Sequence, residues 1–341
     1  MAIRHCGATL LVAATALVGA MSGTALADTA SSVAVSHTAS TVNAQSRSDK
    51  TVVRYWTADR MRNAIPIDSK LASSGIASLM TAADKGAPGK AEPAAPPALT
   101  QKGVGSDAAR LLGASAGQWG SNTSLPGSTS GKVFFTGDDG LNYVCSGSTV
   151  NSGGKNIVFT AGHCVHGGGA GRRYFTNWAF VPGYRDNARP FGTWTARQLW
   201  TLNGWSNSGD RTYDIGAAVM NTDGWGRHIV NVVGGQGIEW NYPLAQYVYQ
   251  FGYPSRTPFN GERLQYCTGT TFDDGGQEGI NCNMTEGASG GPWLDDFDGS
   301  LGRLDSVNSW VFWDGNGVRY KWNGPYFGNG AANLYNAVGN L

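Results

Sequence analysis

Two short glycine-containing strings carry the residue types that nucleophilic hydrolysis needs. Gly287-Ala-Ser-Gly-Gly291 places Ser289 among glycines, and Thr160-Ala-Gly-His-Cys164 places His163 directly after an apolar run. A serine hydroxyl ionises poorly at neutral pH, so it needs an imidazole to take its proton and backbone N–H groups to hold the developing oxyanion. Glycines, which lack a Cβ, permit the sharp turn that would aim the N–H groups of Gly287 and Ser289 at one carbonyl oxygen. We therefore predict a serine hydrolase with Ser289 as nucleophile and His163 as base.

An acid that could orient the imidazole stands at the head of another apolar run. Asp214 precedes Ile215-Gly-Ala-Ala-Val-Met220, and a carboxylate entering a buried strand is costly unless a charge-complementary group meets it. A histidine partner would meet that need, and the carboxylate would fix its tautomer. Asp210 and Asp223 are alternatives, but their polar, turn-like surroundings are typical of solvated acids, so we favour Asp214.

His163 is the preferred base among the five histidines of the chain. His5 and His37 lie in the amino-terminal part of the chain, before the predicted catalytic domain. His166 is in a glycine-rich loop and is expected to be solvated, and His228 has no catalytic context. One rival interpretation of this region is a zinc site. Its ligands would be Cys145, His163, Cys164 and His166. Export to an oxidising compartment and the lack of a Cys-x₂-Cys pair disfavour it.

The amino-terminal part of the chain is typical of an exported precursor. Arg4 and His5 precede an apolar run from Ala8 to Ala20, and Ala25-Leu26-Ala27 fits a signal-peptidase site. A proline- and alanine-rich stretch before residue 98 indicates a linker. The predicted organisation is a signal peptide over residues 1–27, a pro-region and linker over residues 28–120, and a catalytic domain over residues 121–341.

Composition narrows the location and the partners. The apolar run is too short to span a bilayer well, and the formal net charge of +1 argues against nucleic acid or an anionic membrane as partner. We expect a secreted, extracellular monomer.

The cysteines indicate disulfides. Cys6 lies in the predicted signal peptide, which leaves an even set of four, Cys145, Cys164, Cys267 and Cys282. Four cysteines permit three pairings. We favour Cys145 with Cys164 and Cys267 with Cys282, because each loop is then short and flanks a proposed catalytic turn.

From about Ser121 the sequence alternates glycine-rich turns with short runs of β-branched and aromatic residues, which predicts an all-β barrel or sandwich. The one helix expected in this domain covers Gly330–Val338. Upstream, Thr51–Trp56 is predicted to be a strand, and a helix is predicted to begin at Thr57 and end near Asn63, before Ile65-Pro66.

These strings, in the order His, Asp, Ser, resemble the trypsin/chymotrypsin superfamily of serine endopeptidases, and most closely its secreted bacterial branch bordering the glutamyl endopeptidases. The resemblance covers roughly residues 130–315 and rests on Thr160–Cys164, Asp214-Ile-Gly216 and Gly287–Pro292. It implies two antiparallel Greek-key β-barrels with a C-terminal helix, and the roles already given for the triad. It also implies an oxyanion hole made of the Gly287 and Ser289 N–H groups, protein or peptide substrates, the chain's own pro-region as a partner, and no cofactor or metal.

Two departures from the family affect activation and specificity. Ala288 stands where trypsin-type zymogens have the Asp that pairs with a new N-terminal amine, so we expect removal of the pro-region to activate by unblocking the cleft or completing folding. The residues expected at the substrate pocket are Asn283, Ser309, Trp310 and Val311. Asn283 replaces the Asp of basic-residue specificity, and no His follows His228 to bind glutamate. We expect a small or uncharged side chain before the scissile bond.

Two other function classes share parts of this pattern. A catalytically inactive family member acting as a binding module would keep the fold without the reaction. An α/β-hydrolase esterase would share the Gly-x-Ser-x-Gly string, but that fold places its histidine after the serine, and no histidine follows Ser289.

Overall fold

Strands dominate the computed structural model, which describes Met1 and residues 35–36, 49–73, 79–98, 116–313 and 319–341. Apart from Met1, the predicted signal peptide lies outside the described residues. Every described residue after Met1 belongs to one compact unit, Ser32–Leu341. Within the described ranges, no helix has the length and apolar character needed to cross a bilayer.

The strands, in chain order, are β1 (Val35–Ser36), β2 (Ile65–Pro66), β3 (Gly89–Lys90), β4 (Ala116–Gln118), β5 (Ser130–Thr136), β6 (Asn142–Val150), β7 (Ile157–Thr160), β8 (Thr176–Pro182), β9 (Trp194–Thr201), β10 (Gly216–Met220), β11 (Gly237–Trp240), β12 (Tyr247–Gly252), β13 (Gln265–Thr270), β14 (Phe272–Asp273), β15 (Glu278–Asn281), β16 (Pro292–Asp295), β17 (Arg303–Val307), β18 (Trp310–Trp313) and β19 (Arg319–Gly324). The helices are α1 (Ala58–Asn63), α2 (Asp68–Ser73), α3 (Asn203–Ser208), α4 (Ile229–Val233) and α5 (Asn329–Val338). Short 3₁₀ turns cover Gly162–Cys164 and Arg211–Tyr213, and residues 49–55 are also helical.

The residues from Ala116 onward, called the catalytic unit below, form two halves, and the first half is a closed antiparallel barrel. Its strands follow the order β9-β10-β7-β6-β5-β8, and β8 pairs back onto β9. Large side chains fill its interior, among them the fully buried Phe134, Phe159 and Trp178. Closure leaves this sheet with no free edge along the circuit, which gives the active site a rigid support.

The second half consists of two sheets. One has the order β3-β11-β17-β16-β12-β13-β4, and the other has the order β14-β15-β19-β18. Both contribute to a small core that includes Met284, Trp293 and Trp322. The all-β class and the C-terminal helix are confirmed, and this helix buries Leu334 and Val338. The short helices α3 and α4 also lie in this domain, where only the C-terminal helix was expected.

Both disulfides join the cysteines that the sequence favoured. Cys145 and Cys164 link β6 to the turn after β7, with their Cα atoms 6.1 Å apart. Cys267 and Cys282 link β13 to the segment after β15, with a Cα separation of 5.7 Å. Each bridge therefore ties together segments next to one of the two glycine-containing strings.

The predicted strand at Thr51–Trp56 is wrong, because residues 49–55 are helical. The Trp56 N–H donates to the Val52 carbonyl at 3.2 Å, so these two side chains lie on one face and are both buried. α1 begins and ends as expected, with the Thr57 hydroxyl accepting from the Arg60 N–H. Residues 49–70, which lie against the first barrel, are called the arm below.

Residues 79–98, called the strap below, contact both halves of the catalytic unit. Strand β3 pairs with β11, and the Thr81 hydroxyl donates to Asp210 Oδ2 at 2.6 Å. The Ala95 N–H donates to the Gly235 carbonyl at 2.8 Å. The strap therefore contacts the catalytic unit through backbone pairing and polar groups.

The predicted boundary at residue 120 falls directly after β4. That strand pairs with β13, and the neighbouring Trp119 is buried against Phe251 and Tyr266. Residues from Ala116 onward are thus built into the second half of the catalytic unit.

Candidate active site

His163 lies on the 3₁₀ turn that follows β7. The turn passes so close to its neighbours that a Cβ on Gly162 would lie 2.8 Å from Thr201 Oγ1 and 2.9 Å from Trp205. Glycine is therefore required beside the histidine. The disulfide from Cys164 to Cys145 fixes the other side of the turn, so the histidine is held by both of its neighbours.

Asp214 lies between the Arg211–Tyr213 turn and β10, and the structure brings it to His163. Its Oδ2 is 2.7 Å from His163 Nδ1, and its Oδ1 accepts from the His163 N–H at 2.7 Å. The Ser309 hydroxyl also donates to Oδ2, at 2.5 Å. All three residues are buried. Three polar contacts thus compensate the burial of this carboxylate.

The electrostatics of His163 follow from these contacts. Burial lowers the pKa of the imidazole, but the charge and hydrogen bond of Asp214, together with the charge of Asp68, outweigh burial and a smaller opposing effect of Arg211. The net result is a pKa raised above 6.5. A carboxylate at Nδ1 therefore favours the imidazolium form that a general base must adopt during the reaction.

Ser289 lies on a turn whose glycines are structurally required. Gly287 has φ +96° and Gly290 has φ +80°, which is the left-handed region that side chains disfavour. A Cβ on Gly290 would come within 2.0 Å of Thr160 Oγ1. Ser146 of β6 holds the turn to the first barrel, because its N–H donates to the Ser289 carbonyl at 2.7 Å and its hydroxyl donates to the Gly287 carbonyl at 3.0 Å.

Asn308 braces the same turn from the other side. Its Nδ2 donates to the carbonyls of Ala288 at 2.7 Å and Phe251 at 2.9 Å. Its Oδ1 accepts from Gln250 Nε2 at 2.5 Å and from Trp293 Nε1 at 2.6 Å. The side chain is fully buried, so four contacts made by one residue link the turn to β12 and β16.

The polar atoms of the nucleophile turn contact a carboxylate of the arm. Ser289 Oγ donates to Asp68 Oδ1 at 2.5 Å, and the Gly287 N–H donates to Asp68 Oδ2 at 3.1 Å. His163 Nε2 is buried and makes no hydrogen bond to any described residue. The hydroxyl and one predicted oxyanion-hole donor thus share a single acidic partner.

The residues expected at the substrate pocket occupy different environments. Trp310 is half-buried, with the Arg211 guanidinium 3.4 Å from its ring centroid and the His163 ring centroid 6.1 Å away. Val311 packs against the small core that contains Trp322. Ser309 contacts Asp214 as described, and Asn283 is exposed at the surface.

The alternatives for base and acid have other structural roles. His166 is buried rather than solvated, because its Nδ1 accepts from the Gly168 N–H at 3.1 Å and its ring packs on Tyr174. Asp210 accepts from Thr212 and Thr81. Asp223 pairs with Arg227 at 2.6 Å. The ligand-type atoms of Cys145, Cys164 and His163 lie close enough together to hold a metal ion. The two sulfurs are bonded to each other, however, so they are not free thiolate ligands.

Sequence reasoning missed Asp68, Asn308 and the contact of Ser309 with Asp214. Asp68 follows Ile65-Pro66-Ile67 in a segment that sequence reasoning treated only as a helix stop. The one available signal was an acid next to an apolar pair in a region predicted to lie against the enzyme. Asn308 and Ser309 follow β17, and their roles depend on contacts with residues distant in sequence.

Comparisons with known proteins agree with this geometry. No protein-family model matches the chain. The solved protease Anisep from Arthrobacter nicotinovorans is 40% identical, with a TM-score of 0.60, and the match covers 65% of this chain and 99% of that one. The thermostable serine protease AL20 from an extremophilic microorganism is 38% identical, with a TM-score of 0.58, over 62% of this chain and 97% of that one. A Glu endopeptidase at 19% identity and a TM-score of 0.52, matched over 65% of this chain and 96% of its own, shares the fold.

A shorter sequence match is to a protein that is named a metalloprotease. Over 88 residues it is 35% identical to the extracellular metalloprotease of Bacillus subtilis (strain 168), which is 24% of this chain and 26% of that protein. The chain thus spans about a quarter of that relative's length. By its fold, and by its identity with protease Anisep and the serine protease AL20 over nearly their whole length, the chain belongs to the trypsin/chymotrypsin-like superfamily of serine endopeptidases and is a hydrolase of that type.

Proposed function

We propose that the chain is the precursor of a secreted serine endopeptidase that cleaves peptide bonds through Ser289, His163 and Asp214. The observation that carries this proposal is the buried pair of His163 Nδ1 and Asp214 Oδ2, 2.7 Å apart, on the same barrel that holds the Ser289 turn through Ser146. Such a pair leaves Nε2 of the imidazole as the atom that can exchange protons with a nucleophile.

The mechanism follows from these positions. His163 Nε2 accepts the Ser289 hydroxyl proton as Oγ attacks the substrate carbonyl carbon. The N–H groups of Gly287 and Ser289 stabilise the oxyanion, and Asp214 stabilises the imidazolium. His163 then gives the proton to the departing amine. A water molecule repeats the sequence on the acyl-enzyme and releases the acid.

The precursor organisation is supported by the arm and the strap. The match to protease Anisep covers 65% of 341 residues, or about 222 residues, which is the approximate size of the predicted catalytic domain. We propose that residues 1–27 direct export and that the following pro-region is removed by a cut ahead of Ala116, because β4 pairs with β13. Two disulfides suit an extracellular enzyme.

The substrate pocket is proposed to lie beside Trp310 and Val311 and to accept a small or uncharged side chain. Trp322 pairs with Val311 in register, is fully buried, and donates from Nε1 to the Met284 carbonyl at 3.0 Å. Bulky side chains thus occupy the core behind Val311. A peptide-library profile dominated by Arg, Lys or Glu before the cleaved bond would contradict this specificity.

The proposed function is tested by labelling the secreted, processed protein with a fluorophosphonate probe. The Ser289 oxygen bonds to phosphorus, fluoride leaves, and His163 takes the hydroxyl proton. We expect one labelled serine, identified as Ser289 by peptide mass mapping, and no labelling of Ser289→Ala. Processed protein that folds but neither labels nor cleaves casein would indicate a binding module instead.

A further inference from the structure

The arm lies against the first barrel through a buried apolar face. Trp56 and Met61 are almost entirely buried. The Trp56 Nε1–H donates to the Asn177 carbonyl at 2.6 Å, and Arg189 donates to the Trp56 carbonyl at 3.1 Å. Burying a tryptophan and a methionine stabilises this contact substantially. These contacts thus hold the arm in one defined position on the barrel.

The next residues lead the chain to the nucleophile. Strand β2 pairs in parallel with β6 at Tyr143 and Val144, and Ile67 is buried. Beyond Asp68, Arg256 donates to the Ser69 hydroxyl at 2.5 Å, and Lys70 forms ion pairs with Asp138 and Asp139. Residues on both sides of Asp68 are therefore fixed to the catalytic unit, which sets the position of its carboxylate.

The two oxygens of Asp68 satisfy two different catalytic donors. Oδ1 accepts from the Ser289 hydroxyl and Oδ2 accepts from the Gly287 N–H. The hydroxyl that should donate to His163 Nε2 donates to the carboxylate, and Ser289 is fully buried. Charge-assisted hydrogen bonds of this kind are about twice as strong as neutral ones. A side-chain carboxylate also presents no peptide bond to the nucleophile, so it binds without being cleaved.

We propose that Ser289 and the Gly287 N–H form a carboxylate-binding site and that Asp68 fills it as an internal inhibitor of the precursor. The inference rests on the proposed function, because it assigns the inhibitor of the same nucleophile. The occupant is specific: one acid, placed by the arm, whose negative charge stands where the oxyanion of the substrate would develop. The inactivity of the precursor therefore depends on the charge of Asp68 as well as on the arm that covers the site.

The test compares full-length precursors carrying Asp68→Asn or Asp68→Ala with the wild type. Asparagine keeps the shape but presents an N–H group to one of the two donors, and alanine removes both contacts. The fluorophosphonate labelling rate is measured on the intact precursor band. We expect both variants to label about ten- to a hundredfold faster than the wild type, the range for losing hydrogen bonds to a charged group.

Asp59→Asn is the matched control, because Asp59 is an exposed acid of the same arm that pairs with Arg62. It should label at the wild-type rate. The processed band of every variant serves as the internal standard and should label equally. A second outcome is that the processed protein labels rapidly while the Asp68→Asn and Asp68→Ala precursors label no faster than the wild-type precursor. That outcome would contradict the inhibitor role of Asp68 without contradicting the proposed protease function.

If neither the processed band nor the precursor band is labelled, both the proposed function and the inhibitor role of Asp68 are contradicted. Thermal unfolding midpoints distinguish a specific release from a damaged fold. A variant precursor that labels rapidly while unfolding near the wild-type temperature supports the inhibitor. If acceleration occurs only in precursors whose unfolding temperature has collapsed, Asp68 is a structural residue and the inference fails.

Discussion

The base side and the nucleophile side of the active site differ in the groups that satisfy their polar atoms. On the base side, Asp214 receives contacts from His163 and Ser309, which belong to the catalytic unit itself. On the nucleophile side, Ser289 and Gly287 donate to Asp68, which belongs to the arm. The contacts of the base are therefore complete within the catalytic unit, while the nucleophile is bound to a residue from outside it.

This difference suggests that activation need not rebuild the site. Ala288 before the nucleophile is buried and offers no carboxylate for a new N-terminal amine. Asn308 and Ser146 already brace the turn. Under the proposed inhibition, removal of Asp68 from the site would suffice, whereas a trypsin-type zymogen must form a new ion pair. Four predictions test whether the two sides are as separate as the contacts indicate.

The largest effect is expected from Asp214→Asn. The amide would present an N–H group to His163 and select the wrong tautomer, so kcat should fall by about four orders of magnitude in the processed enzyme. Initial rates on a peptide substrate measure this fall. Asp223→Asn, which alters an acid paired with Arg227, is the control. A loss below about tenfold would mean that the imidazole does not depend on Asp214.

Asn308→Ala should disturb the nucleophile side. Alanine would remove the acceptor of the Trp293 Nε1–H and Gln250 Nε2 groups and one donor to each of two buried carbonyls. This loss should lower the free energy of unfolding by about 3 kcal/mol. Denaturant unfolding measures this, with the exposed Asn281→Ala as control. Normal stability together with normal activity would show that the turn is held without Asn308.

Ser309→Ala should weaken the base side to a smaller degree. Loss of one hydrogen bond to a charged carboxylate should reduce kcat by about tenfold and leave KM nearly unchanged. Ser208→Ala removes an exposed hydroxyl that bonds only a carbonyl of α3 among the described residues and should have no effect. A change confined to KM would place Ser309 in substrate binding instead of in the support of Asp214.

The smallest effect concerns the pKa of His163. Asp68 contributes to raising it, so Asp68→Asn should lower the pKa of this imidazole in the precursor. A raised pKa means that protonated His163 stabilises the folded state below pH 6.5, and this stabilisation is lost as the pH rises through the folded-state pKa. The variant should therefore lose this stabilisation at a lower pH than the wild type. NMR titration of the imidazole protons measures the shift. An unchanged pKa would show that the two sides do not interact electrostatically.

The sequence predicted those features that are local or that recur at a fixed spacing. The strings around His163 and Ser289, the α1 cap at Thr57 and both disulfide pairs were recognisable because their residue types have few alternative explanations. For the second half, the residue pattern predicted only β structure, and the second Greek-key barrel came from the family resemblance. The division of this half into two sheets depends on pairing between distant strands.

The features that sequence reasoning missed depend on tertiary contacts. Val52, Tyr55 and Trp56 favour a strand by propensity, but burial of Val52 and Trp56 on one face favours the helix. His166 was expected in solvent because glycines surround it, yet Tyr174 covers it. Asp68 resembles any helix-starting acid until the arm places it beside Ser289.

The arm and the strap are each attached to the catalytic unit by their own contacts, and this double attachment has a kinetic consequence. A single cut ahead of Ala116 severs the chain but leaves both attachments in place, and each keeps the other at a high effective concentration. If the pro-region is removed as proposed, cleavage and the onset of activity should therefore be separate events. Peptide hydrolysis should begin with a lag, and that lag should shorten when a second protease digests the severed fragment.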